Sequence, residues 1–133
     1  MRCDLLRRRD FLALVGSLAV APVTFPAAAA NAGDRMYGLI GKVTAVQGQR
    51  DTLAAILLGS NQAMPGCLSY IVAHDPADAD ALWITEVWDS QASHQASLSL
   101  PAVREAITKG RPLIAGFSNR VETTPIGGVG LKP

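Results

Sequence analysis

Cys67-Leu68-Ser69-Tyr70-Ile71-Val72-Ala73-His74, the polar stretch Asp75-Pro76-Ala77-Asp78-Ala79-Asp80, and Ala81-Leu82-Trp83-Ile84-Thr85-Glu86-Val87-Trp88 follow one another without a break. Both outer segments alternate and are rich in β-branched and aromatic residues, and the segment between them is made of turn formers. They read as two strands joined through a tight loop. A period of two places Leu68, Tyr70, Val72 and His74 on one face of the first strand. It places Leu82, Ile84, Glu86 and Trp88 on one face of the second, with Trp83, Thr85 and Val87 opposite.

Upstream of this pair, Tyr37 to Val46 is a third β-rich segment, broken by Gly48. Arg50 to about Gln62 carries Leu53, Ile56 and Leu57 at helical spacing, with Asp51 in the first turn, where a carboxylate favours the helix dipole. Met64-Pro65-Gly66 stops that helix. Downstream, Asp89 or Ser90 caps a helix reaching about Leu98, and Pro101 opens another that ends at Lys109-Gly110. Leu113 to Thr124 supplies the last strand, with Phe117, Asn119, Val121 and Thr123 expected on one face. The order β-α-β-β-α-(α)-β predicts an α+β, ferredoxin-like domain, an antiparallel four-stranded sheet with helices on one face. The other sheet face is left partly apolar, and pairing two such faces in a homodimer is the simplest cover.

The chain has 133 residues with twelve Lys/Arg against eleven Asp/Glu. Four of the basic and two of the acidic residues lie in residues 1–32, so the remainder holds eight against nine and no basic run. A nucleic-acid surface is therefore not expected. Residues 1–32 themselves read as an export signal. Arg8-Arg9-Asp10-Phe11-Leu12 opens an apolar run to about Val23, and Ala30-Asn31-Ala32 suits a signal peptidase. The paired arginines resemble a twin-arginine signal, which implies a periplasmic or secreted protein that meets the membrane only during export. The expected organisation is a signal over 1–32, a domain over 33–124 and a flexible tail over 125–133. Cys67 is the one cysteine outside the signal, so no disulfide forms within the domain.

Pro65-Gly66-Cys67-Leu68-Ser69-Tyr70, the Asp75-Pro76 turn, and Glu86-Val87-Trp88-Asp89-Ser90 followed by His94 and Pro101 together resemble the antibiotic biosynthesis monooxygenase family, including its quinol monooxygenase branch. The resemblance spans roughly Met36 to Thr124. It implies a dimeric α+β barrel that oxidises a quinol or phenolic polycycle with O2, using no metal, flavin or other cofactor. In many relatives the helical histidine lies nine residues after the tryptophan of Glu-x-Trp. Here Ser97 holds that place and His94 lies at plus six. The haem-degrading branch would need ligands where this chain has Ser97 and Ile107.

His94 is the expected catalytic base, because histidine is the side chain whose ordinary titration falls nearest neutrality. Trp88 is expected beside it, shaping the catalytic pocket. Tyr70, Glu86, Asn119 and His74 are the expected substrate-binding residues. Each also has a plainer reading: a sheet-edge hydroxyl for Tyr70, a solvated carboxylate for Glu86, a backbone partner for Asn119 and an exposed strand end for His74. Two histidines without a cysteine or carboxylate cluster at ligand spacing make no metal site. Two further functions suit the same fold: an exported dimer that binds a small aromatic ligand without turnover, and a cofactor-free isomerase or lyase.

Overall fold

The computed structural model describes residues 35–60 and 63–131; the export-signal reading of residues 1–32 lies outside them. The elements are β1 (Tyr37–Ala45), α1 (Arg50–Gly59), β2 (Cys67–His74), β3 (Ala81–Trp88), α2 (Gln91–Ser97), α3 (Pro101–Gly110), a 3-10 turn at Arg111–Leu113, and β4 (Ile114–Thr123). The sheet is antiparallel in the order β2-β3-β1-β4, the ferredoxin-like arrangement that the alternating segments predict.

Helices cover one face of this sheet. Leu53 of α1, fully buried, packs with Val43, Ala45 and Leu82, and Leu57, Ile84 and Ile114 close around them. Burying a leucine of this kind contributes about 1.5–3 kcal/mol. α1 and α3 meet closely because Gly110 presents no side chain: a Cβ there would lie 3.3 Å from Leu53 Cδ1. α1 closes at Gly59, with the Ser60 hydroxyl donating to the Leu57 carbonyl, short of the expected end near Gln62.

Strand register lays side chains out in rows across the sheet. On the helix side, Tyr70, Glu86, Leu39 and Glu122 form one row through all four strands, and Trp88 and Tyr37 pair in the next. On the opposite side, Ile71, Thr85, Ile40 and Val121 form a row, and both ends of it, Ile71 and Val121, are exposed.

The last strand departs from its expected alternation. Ser118 pairs with Lys42 but Val121 pairs with Ile40, so three steps along β4 match two along β1. The extra residue is absorbed by a bulge at Asn119, which adopts φ 51°, a left-handed conformation that asparagine tolerates. The consequence corrects the expectation of a single shared face: Phe117 lies on the helix side, whereas Val121 lies on the other, and Glu122 turns to the helix side beside Leu39.

Candidate active site

Between the sheet and the three helices lies a largely apolar cavity of about 600 Å³. Leu53, Leu57, Ile84, Val103 and Ile107 form its oily walls, and its polar end is built from Tyr70, Glu86, Trp88 and His94. A second space of about 490 Å³ continues from Glu86, His94 and Leu98 toward Phe117 and Arg120.

α2 carries His94 to this end, and its anchorage is local. The Ser90 side chain accepts from the Ser93 backbone N–H at 3.1 Å, the expected cap. The Asp89 N–H donates to the Gly66 carbonyl at 2.8 Å, tying the helix start to the loop before β2. Gly66 sits at φ 82°, and a Cβ there would lie 2.5 Å from Ser93 Oγ, so glycine is required both for conformation and for space.

His94 and Glu86 are each only 14 % exposed at the side chain, and His94 Nε2 lies 3.7 Å from Glu86 Oε2. That separation brings imidazole and carboxylate face to face but is longer than a hydrogen bond. The same carboxylate oxygen accepts the Trp88 indole N–H at 2.9 Å. Residues two apart on a strand share a face, which is why Glu86 and Trp88 meet. The imidazole sits 5.4 Å from the Trp88 ring in an edge arrangement and 5.2 Å from the tilted Tyr37 ring. Tyr37 is buried, and its hydroxyl donates to Glu122 Oε1 at 3.0 Å; Arg120 reaches the same oxygen at 3.4 Å. Burial and the neighbouring Glu122 both push the Tyr37 phenol up. Tyr70, opposite Glu86 on the adjacent strand, is raised further, first by burial and then by the Glu86 charge. Both phenols therefore stay protonated across the ordinary pH range.

Ser97, nine residues after Trp88, is buried in the same cavity wall and donates to the His94 carbonyl at 2.6 Å. Positions 94 and 97 are one turn apart on the same helix face. His94 thus reaches the cavity from a place one turn earlier.

Four of the expected residues, His94, Trp88, Glu86 and Tyr70, converge at the cavity. Two do not. Asn119 is exposed on the β4 bulge, because the extra residue removes it from the helix-side face. His74 is more than half exposed at the end of β2, with Nε2 3.1 Å from Asp51 Oδ1 of α1, where it joins a strand end to a helix start. Tyr37 and Glu122 were missing from the expected set. The bulge hid Glu122, and Tyr37 stood at the unremarkable start of a strand. Cys67 is half-buried, its thiol held 3.6 Å from the Ser69 carbonyl and pushed up by burial. No group of three His, Cys, Asp or Glu capable of holding a metal occurs among the described residues.

A family profile described as antibiotic biosynthesis monooxygenase matches residues 36–109, more than half of the chain. This chain belongs to the antibiotic biosynthesis monooxygenase family. Among solved structures, a candidate antibiotic biosynthesis monooxygenase from Chloroflexus aurantiacus is 63 % identical, with a TM-score of 0.71 over 73 % of this chain and 99 % of that one. A candidate monooxygenase of the same kind from Deinococcus radiodurans is 25 % identical, with a TM-score of 0.54 over 69 % and 92 % of the two chains. The corresponding protein from Caulobacter crescentus, 15 % identical with a TM-score of 0.60 over 72 % and 92 %, shares the fold. No curated protein matches the chain.

Proposed function

We propose that this protein is a cofactor-independent monooxygenase that oxidises a quinol or phenolic polycycle with O2 in the cavity between sheet and helices. One observation carries the reading: a cavity of about 600 Å³, apolar on most sides, is lined by a largely buried imidazole backed by a carboxylate. That volume suits a small polycyclic ligand. Ground-state O2 is a triplet and reacts poorly with closed-shell molecules, so the substrate must be made electron-rich before it reacts.

His94 takes the phenolic proton, with Glu86 stabilising the imidazolium that forms. The phenolate passes one electron to O2, and the resulting radical and superoxide join through a new C–O bond. His94 returns its proton to that peroxide. The O–O bond then breaks as water leaves with the ring hydrogen, and a carbonyl remains. One substrate and one O2 give one quinone-type product and one water, the substrate supplying all four electrons. Tyr70 O–H, facing the same end, donates to the developing oxyanion.

The reading includes a homodimer joined through the face that bears Ile71, Ile40 and Val121, because exposed aliphatic ends on that row need cover. It also includes export, on the strength of the paired arginines and apolar run in residues 1–32.

O2 uptake by the purified full chain with a panel of reduced quinols and polycyclic phenols tests it, with autoxidation subtracted and products weighed by mass spectrometry. Enzyme-dependent uptake with one oxygen atom added supports the monooxygenase. Uptake without insertion makes the protein an oxidase, and turnover without O2 makes it an isomerase or lyase. Tight binding with no turnover leaves a carrier of aromatic molecules.

A further inference from the structure

A buried tyrosine that no part of the proposed chemistry uses lies directly against the proposed base. Tyr37 opens β1 and pairs across the sheet with Trp88, so the two rings stand side by side on the helix-facing surface. His94 descends from α2 onto both, 5.2 Å from one ring and 5.4 Å from the other. The two supports are built alike. The Trp88 N–H is fixed by Glu86, and the Tyr37 O–H is fixed by Glu122, the two carboxylates flanking Leu39 in one row.

We infer that Tyr37 is a positioning residue: anchored through its hydroxyl to Glu122, it holds the His94 ring against Trp88 with Nε2 turned to Glu86 and the cavity. The inference rests on the reading of His94 as the base. Its physical basis is that α2 is short, and its fixed points are the Ser90 cap and the Asp89–Gly66 bond at its start and the Ser97 hydroxyl beyond His94. None of these holds the imidazole itself. At 3.7 Å from Glu86, the ring is not pinned by a hydrogen bond, so its orientation depends on the aromatic surfaces beside it. Loss of one surface lets it rotate away from the reacting proton, and small misplacements of a catalytic group are expensive in rate.

The charged and titratable groups facing His94 are Glu86 from β3 and Tyr37 from β1, with Glu122 and Arg120 of β4 behind Tyr37. The chain has two histidines, and exposed His74 serves as an internal reference. The test is therefore made on the full chain labelled with 15N-histidine, comparing Tyr37→Leu, Tyr37→Phe and Glu122→Gln with the unaltered protein. Tyr37→Leu is expected to move the His94 ring-nitrogen shifts toward those of a solvent-exposed imidazole exchanging between its two tautomers, and to erase the His94 cross-peaks to Trp88. His74 signals stay in place. Turnover of the best quinol from the panel falls about tenfold in kcat with KM within about twofold, the pattern of a misplaced catalytic group. Tyr37→Phe keeps the ring and retains most of the activity, and Glu122→Gln lies between Tyr37→Phe and the unaltered protein.

His94 nitrogens and cross-peaks unchanged in Tyr37→Leu overturn the inference. Should Tyr37→Leu unfold, Tyr37→Phe and Glu122→Gln decide it: if neither disturbs the His94 signals, Tyr37 is packing alone. A separate failure belongs to the base assignment. Full turnover by His94→Gln removes that assignment, while the nitrogen spectra still score whether Tyr37 orients the ring.

Discussion

Strand β3 carries the same pairing twice, once on each face, and the two copies have opposite characters. On the outer side the Trp83 indole N–H donates to Asp75 at 3.1 Å, and Lys42 Nζ reaches that same carboxylate oxygen at 2.7 Å. The Lys42 ammonium, the Ala77 N–H and the Trp83 N–H together hold the Asp75 carboxyl below its usual range. On the inner side the Trp88 N–H donates to Glu86, and the nearest cationic candidate is an imidazole at 3.7 Å. A carboxylate given a permanent ammonium and several donors is fixed in charge and shape. One given an imidazole faces a partner whose charge comes and goes with a proton. On the proposed function, the same pair of groups, an indole and a carboxylate, serves architecture on one face and proton chemistry on the other.

The largest effect expected from that contrast is kinetic. His94→Ala lowers kcat/KM for the best substrate of the quinol and phenol panel by about 100-fold, the usual scale of general-base catalysis, while the urea midpoint stays close to the original. Activity that survives this change would place the base elsewhere. Next, Glu86→Gln reduces kcat about tenfold, because the imidazolium loses its counter-charge, whereas Asp75→Asn leaves kcat and KM within about twofold. Equal kinetic loss from both carboxylates would erase the distinction between the faces.

Stability should reverse the ranking. Asp75→Asn lowers the urea midpoint at neutral pH with m unchanged, since Lys42 and Trp83 lose a charged acceptor. The pH dependence follows from the depressed Asp75 carboxyl. Its contribution is complete above the ordinary carboxylate value of about 4 and disappears as pH falls through the lower folded value. Urea midpoints between pH 6 and pH 2 should drop less steeply for Asp75→Asn than for the original chain. Parallel slopes would show that this pair does not govern the acid limb. The smallest effects come from the indoles: Trp83→Phe costs about 0.5–1.5 kcal/mol of stability with no kinetic change, and Trp88→Phe slows kcat about threefold.

The sheet was legible because β3, and β2 from Ser69 to His74, alternate cleanly; a register shift between Cys67 and Ser69 breaks the alternation expected at Leu68. Ile84, Glu86 and Trp88 could be placed on one face of β3 and Tyr70 on one face of β2 from the sequence alone; the register is what puts them on the same, helix-facing side. β4 was legible as a strand but not in its facing, because a bulge leaves no mark in hydrophobic alternation beyond a tolerant residue such as Asn119. That single slip sent Asn119 into the expected site and kept Glu122 out. His74 failed for a different reason. Its parity is that of the core side, but it lies at the end of an edge strand, where burial runs out and Asp51 is within reach. Tyr37 was unreadable because its importance lies in what approaches it from α2, a contact between residues far apart in sequence. The likeness to the family pattern located the Glu-x-Trp strand and the helix after it, while the direction of His94 came from the fold.

The brevity of α2 has a practical consequence. A two-turn helix whose central side chain forms one wall of the cavity gains order when a ligand presses against that wall, and binding stabilises whatever it contacts. Amide deuterium uptake over Ser93 to Leu98 should therefore slow in the presence of any compound that seats beside His94, whether or not it reacts. The helix is in this sense a reporter of occupancy, and it allows ligands to be sought by mass before a single product has been named.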